Sequence, residues 1–215
     1  MATPENTVPE AEQSAPAAPS RGRVRLRRLA LMAIPTLAAS ATLSLLTAQG
    51  VLAAQFSISG MPFTVTASNL QGDGFEQFGG MDTMIENSPN GGETGGQVLV
   101  VVSAIRSATM TNLCQSVDLG GINLKITAGD AGTPVTASQL VSDSEQLAGD
   151  ASFTGIEIGG DASTYTKAGV QGPTGVFGQQ ADTVNIQNLR QRNYASTAAV
   201  FKLPHLRLRF TDEAC

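Results

Sequence analysis

Tryptophan is absent from this 215-residue chain, histidine occurs once, and cysteine and tyrosine occur twice each. Each gap removes a class of function. Sugar clefts and base-stacking platforms need aromatic rings, and Tyr165 and Tyr194 are too few to build one. Two cysteines and the distant His205 make too few soft ligands, at no recognisable spacing, for a zinc site. Positive charge is scarce where phosphate would need it. From Gln55 onward 8 basic side chains face 15 acidic ones, net minus seven, with no basic stripe among aromatics. Such a surface repels a phosphate backbone, so no nucleic-acid partner is expected.

Hydrolytic machinery is equally thin. A serine hydrolase needs an activated nucleophile, a base in hydrogen-bond reach and an oxyanion hole. No Gly-x-Ser-x-Gly elbow occurs, and His205 is the sole candidate base, placed just before an alternating segment where a surface or strand-edge histidine is the simpler reading. Ser152 and Ser163 follow Gly-Asp-Ala in the wrong order and spacing for another esterase class. The carboxylate pairs Asp73 with Glu76 and Asp143 with Glu145 read as solvated turn residues, and Asp150 and Asp161 as turn formers beside glycine without the Asp-x-Asp spacing of a calcium loop. The residues point to no catalytic group, no cofactor and no metal.

What the chain does have is an organised N-terminus. Residues 1–28 are rich in Pro, Ala, Glu and Ser and read as a disordered leader that ends in Arg21, Arg23, Arg25, Arg27 and Arg28. Residues 29–54 then carry no charge. Arginines preceding an uncharged apolar run longer than the ~20 residues that span a bilayer keep the N-terminal side in the cytoplasm. One N-terminal transmembrane or signal helix is therefore expected, with residues 55–215 outside. Small residues at Ala53 and Ala54 suit a signal-peptidase site, whereas the length of the run suits a retained anchor, and both readings stay open. In an oxidising compartment Cys114 and Cys215 are expected to pair, tying the C-terminal residue to mid-chain; the other reading is two free thiols.

Beyond Ala54 the apolar period becomes two. Phe56 to Ser59, Phe63 to Ala67, Ile122 to Ile126, Ile156 to Ile158, Val184 to Ile186 and Leu206 to Phe210 alternate as half-buried strands do, and the continuous run Val98 to Val102 predicts a strand covered on both faces. Glycines at 72, 74, 79, 80, 91, 92, 95, 96, 120, 121, 159 and 160, and those from Gly169 to Gly178, read as breaks between strands. An echo recurs four times, ending in Asn69-Leu70, Asn112-Leu113, Gln139-Leu140 and Asn188-Leu189: a strand, an amide satisfying backbone groups at its end, and a leucine returning to the core. Its spacings of 43, 27 and 49 residues are too irregular for a solenoid. The expected fold is mainly β, a single elongated sheet or a two-layer β domain.

Four stretches, Phe75-Glu76-Gln77-Phe78-Gly79-Gly80, Thr111 to Val117, Gly149 to Phe153 with Ile156 to Gly159, and Phe177 to Asp182, are similar to a family of exported single-span proteins of unknown function from Streptomyces and related actinobacteria. Some members carry an automatic label of cholesterol esterase. The resemblance implies an envelope protein, tethered in the cell membrane or secreted, often beside a small multi-pass membrane protein, and it carries no catalytic residue onto this sequence. The residue reading adds a non-enzymatic binding or structural role. A sheet with one apolar face suits a lipid or a membrane partner, and the alternative is a lipid or sterol ester hydrolase.

Overall fold

The computed structural model describes residues 57–92 and 95–215. The leader, the apolar segment 29–54, its arginines Arg21 to Arg28 and the residues Ala53 and Ala54 lie outside the described residues. Nine strands follow in chain order: β1 Phe63–Thr83, β2 Gln97–Thr111, β3 Leu113–Asp118, β4 Asn123–Ala128, β5 Val135–Thr154, β6 Glu157–Asp161, β7 Phe177–Thr197, β8 Val200–Lys202 and β9 Arg207–Thr211. A one-turn 3₁₀ helix, Ala162–Thr164, follows β6. Among the described residues no helix is long and apolar enough to cross a membrane.

All nine strands join one antiparallel sheet, so the single-sheet expectation describes it and the two-layer one does not. The sheet also closes. β1 pairs β2 on one edge and β7 on the other, β2 pairs β5, and β5 pairs β7, so the four longest strands form a ring of hydrogen bonds. Over the stretch where each is paired on both sides, closure leaves these strands without a free edge, which removes the row of unpaired backbone groups that an open sheet exposes. The wing β3-β4-β9 continues from the N-terminal part of β1, and β6 and β8 pair the ends of β7 and β5.

The ring is packed with its own side chains. Leu70, Phe75, Ile105, Met110, Leu113, Val135, Leu140, Val184, Ile186 and Leu189 are buried in one cluster, with Phe75 and Phe153 at 5.3 Å between ring centroids. Burying each such side chain stabilises by roughly 1.5–3 kcal/mol. On the same face, two residues beyond Ile105 and Leu140, the lining turns polar. Gln77 Nε2 donates to Ser103 Oγ at 2.9 Å, Gln179 Nε2 to Gln77 Oε1 at 2.6 Å, and Ser144 Oγ to Asn193 Oδ1 at 2.7 Å.

The echo acquires a geometric meaning here. Asn112, Gln139 and Asn188 have φ of 53°, 50° and 53°: Gln139 and Asn188 sit within β5 and β7, where the pairing with β2 and β1 passes over them without a register shift, and Asn112 sits between β2 and β3. Asn tolerates the left-handed region better than most residues. The amides that bond do so to side chains, Asn112 to Ser68 at 3.0 Å and Asn188 to Asp150 at 2.9 Å, not to the backbone groups expected. The leucines behave as expected: Leu70, Leu113, Leu140 and Leu189 are all buried. At the three left-handed residues the alternation is broken, so Leu113, Leu140 and Leu189 follow the buried Met110, Ala137 and Ile186 inward.

Glycines 72, 74, 79 and 80 lie within β1 instead of breaking it, and Gly159 and Gly160 lie within β6. A Cβ on Gly72 would meet Ile105 Cγ2 at 2.5 Å, and one on Gly74, at φ 68°, would run into the Lys167 carbonyl oxygen. Close approach of strands in a small ring requires these glycines, a demand that a reading of turns does not include. Three further corrections follow. Within Val98 to Val102, Leu99 is 76% exposed, so the run is not covered on both faces; Ile158 is exposed; and of Phe56 to Ser59 the described residues contribute only an isolated bridge from Ile58 to Met84.

Candidate functional site

β1 sets Asp82 opposite Val98, and β5 sets Asp143 between Val102 of β2 and Ala195 of β7. Val98 and Ala195 belong to a second small cluster with Ile58, Met84 and Tyr194, so both carboxylates border apolar packing. Asp82 Oδ2 is buried without a hydrogen-bond partner. Burial, and then the negative charge of Asp82, push the Asp143 carboxyl up to about 7; burial also raises Asp82. Asp143 is thus a half-buried mid-strand group, not the solvated turn residue expected, because the curl of the ring carries β5 past the end of β1. Glu145 is exposed, as expected, and bonds Arg192 and the Tyr194 hydroxyl. The acidic pair can hold a proton near neutrality. Among the described residues no group of three or more His, Cys, Asp and Glu is placed to hold a metal.

The expectation for Asp73 and Glu76 also divides. Asp73 is exposed, whereas Glu76 is fully buried under the segment that carries Ala168 and Val170. Its Oε1 accepts from Ala168 N at 2.7 Å and its Oε2 from Val170 N at 3.3 Å. Burial raises its carboxyl, opposed by these backbone donors. The arrangement clamps the segment after the 3₁₀ turn, whose Tyr165 and Ala168 are buried against the sheet. Asp161 caps that turn, accepting from Ser163 N at 3.0 Å and Gly175 N at 2.8 Å, which pulls its carboxyl below the usual range.

His205 sits on the surface with Nδ1 2.9 Å from Asp130 Oδ1, and Arg207 binds the other oxygen of the same carboxylate at 2.6 Å. Ser152 is exposed and Ser163 is committed to Asp161. Cys114 and Cys215 lie at disulfide distance, 2.02 Å between sulfurs and 5.8 Å between Cα atoms. The C-terminal residues run over one face of the wing, where Cys215 N donates to Ser116 Oγ at 3.0 Å and Lys125 Nζ to Ala214 O at 3.4 Å.

The other face of that wing is bare. Val117, Leu124 and Phe210 form one cross-strand row, and Ile126 and Leu208 the next. Leu206, Leu208 and Phe210 are 52%, 59% and 63% exposed, and Leu119 and Ile122 at the β3–β4 turn are exposed too. A second exposed apolar group, Met81, Ile85, Leu99 and Val101, lies at the far end of β1 and β2. The alternation in Leu206 to Phe210 implies burial, and only the tertiary arrangement shows that among the described residues no element covers this side.

Fold and surface together define a class: a closed antiparallel β domain with a filled interior and bare apolar faces. Within that class, the family described as "Family of unknown function (DUF6230)" matches residues 59–215, and the chain belongs to it. No curated protein and no solved structure gives a significant match.

Proposed function

We propose that this chain is a cell-envelope protein, tethered by segment 29–54 or secreted after cleavage near Ala53 and Ala54, with a non-enzymatic binding or structural role toward lipid or a membrane protein. The observation that carries the reading is the unpartnered apolar face of the wing, around Leu208 and Phe210. Contiguous apolar rows on a soluble surface mark contact sites more often than chance. With the ring filled by its own side chains, a ligand would lie on the face and not inside. Self-association through β9 is resisted, because an antiparallel pair centred on Leu208 sets Arg207 against Arg209 of the second copy.

The test is mass spectrometry of the unreduced native protein from membrane and culture fractions. Co-purifying lipid or a membrane protein, lost on Leu208→Ser with Phe210→Ser, supports the reading; a chain that carries neither and behaves identically in the variant overturns it. One contact favours the alternative, a lipid or sterol ester hydrolase: His205 Nδ1 on Asp130 has the geometry of an oriented base. Against it, Arg207 shares that carboxylate, and among the described residues no hydroxyl hydrogen-bonds to His205. Ester turnover abolished in His205→Gln would establish it.

A further inference from the structure

We infer that the end of the sheet carrying Met81, Ile85 and Leu99 rests against the outer surface of the bilayer that holds segment 29–54, an inference that rests on the tethered form of the reading above. The argument begins with where the described chain starts. Ile58 is bridged to Met84, its N–H donating to Thr83 O at 3.1 Å and its carbonyl accepting from Ile85 N at 3.4 Å. Ser59 O accepts from Asn90 Nδ2 at 2.9 Å and from Ser88 Oγ at 3.2 Å. Gly60 lies so close to Met84 and Asn90 that a Cβ there would meet both side chains within 3 Å. The chain is therefore fastened to the β1–β2 end before β1 begins.

The leash back to the apolar segment is short. Four residue steps separate Ala54 from Ile58 and reach at most about 14 Å when fully extended. The headgroup layer on one side of a bilayer takes up roughly 5–8 Å of that. If Ala54 lies at the hydrocarbon boundary, Ile58 stands within a strand's width or two of the lipid surface, and Met84 and Ile85 stand with it. At this end Leu99 is 76% exposed, Ile85 63% and Met81 56%. Met81 and Leu99 are directly paired across β1 and β2. Leu99 is the most exposed large apolar side chain among the described residues. The chemistry suits a zwitterionic interface: Glu86 is exposed nearby, and residues 55–215 are net acidic, which opposes a strongly anionic surface.

The experiment uses the full chain in its own membranes, with a benzophenone amino acid replacing Leu99 in one variant and, as control, Gln71 in another. Gln71 is exposed and lies ten residues back along β1. After irradiation, lipid adducts are counted by mass spectrometry. The expected result is at least a tenfold excess of lipid adduct at position 99. Equal or absent adducts at 99 in a chain that fractionates with membranes overturn the inference while leaving the tether intact. A crosslinked dimer of this chain at 99, in place of lipid, overturns it in favour of a second copy. A soluble chain whose mass begins near Gln55 overturns the tether and the inference together, and that mass distinguishes it from the other outcomes.

Discussion

Replacing Asp143 by asparagine should stabilise this protein at neutral pH and leave it unchanged in acid. The carboxyl is half-buried beside Ala195 and Val102 and feels the charge of Asp82, so its folded-state value, about 7, lies well above the ordinary 3.8. Between roughly pH 4 and 7 the folded protein holds a proton that the unfolded chain has released. Stability associated with this site is therefore fully present below about pH 4 and is lost as pH rises through 7. A shift of about three units corresponds to roughly 4 kcal/mol, and residual solvent access lowers the expectation to ~2–4 kcal/mol at pH 8. For a domain of this size that is about 5–15 °C in Tm. Thermal unfolding followed by circular dichroism at pH 4, 6 and 8, on the wild type and Asp143→Asn, reads the effect as a difference between the two. Comparing them also cancels the opposite trend of Asp130 and Asp161, whose carboxyls are held low by their hydrogen-bond partners. A variant no more stable than wild type at pH 8, or equally more stable at pH 4, would refute the reasoning.

Glu76→Gln should cost ~1–3 kcal/mol in urea unfolding and speed proteolysis between residues 165 and 176, because one of two buried backbone donors loses its acceptor. Converting both Cys114 and Cys215 to serine should lower stability by up to ~4–5 kcal/mol in the chain-entropy account, given a sequence separation of 101 residues; a loss below 1 kcal/mol in denaturant titration would count against a bond in the native protein. Asn188→Gly should be nearly neutral and Asn188→Val should cost ~1–3 kcal/mol, since φ there is 53°; equal Tm values for the two would contradict a left-handed backbone at this position.

By itself the sequence marked most of the strands and some of their inward residues: alternation marked runs in β1, β4, β7 and β9, the amide-leucine echo marked four buried leucines, and the cysteine count marked one pair brought together across the chain. These signals are local or combinatorial, so they survive without knowledge of who neighbours whom. Ring closure was not among them, because nothing in β1 or β7 alone says that their edges meet. Closure is what sets Gly72 against Ile105, turns Glu76 under the segment after the 3₁₀ turn, and brings Asp82 to Asp143. Whether an apolar stripe is core or surface was likewise decided by the tertiary structure: Ile186 and Leu208 each belong to an alternating run, and the closed ring around the first, with no described element over the second, makes one buried and the other exposed. Periodicity reports which face of a strand is apolar, whereas burial depends on contacts between residues far apart in the chain.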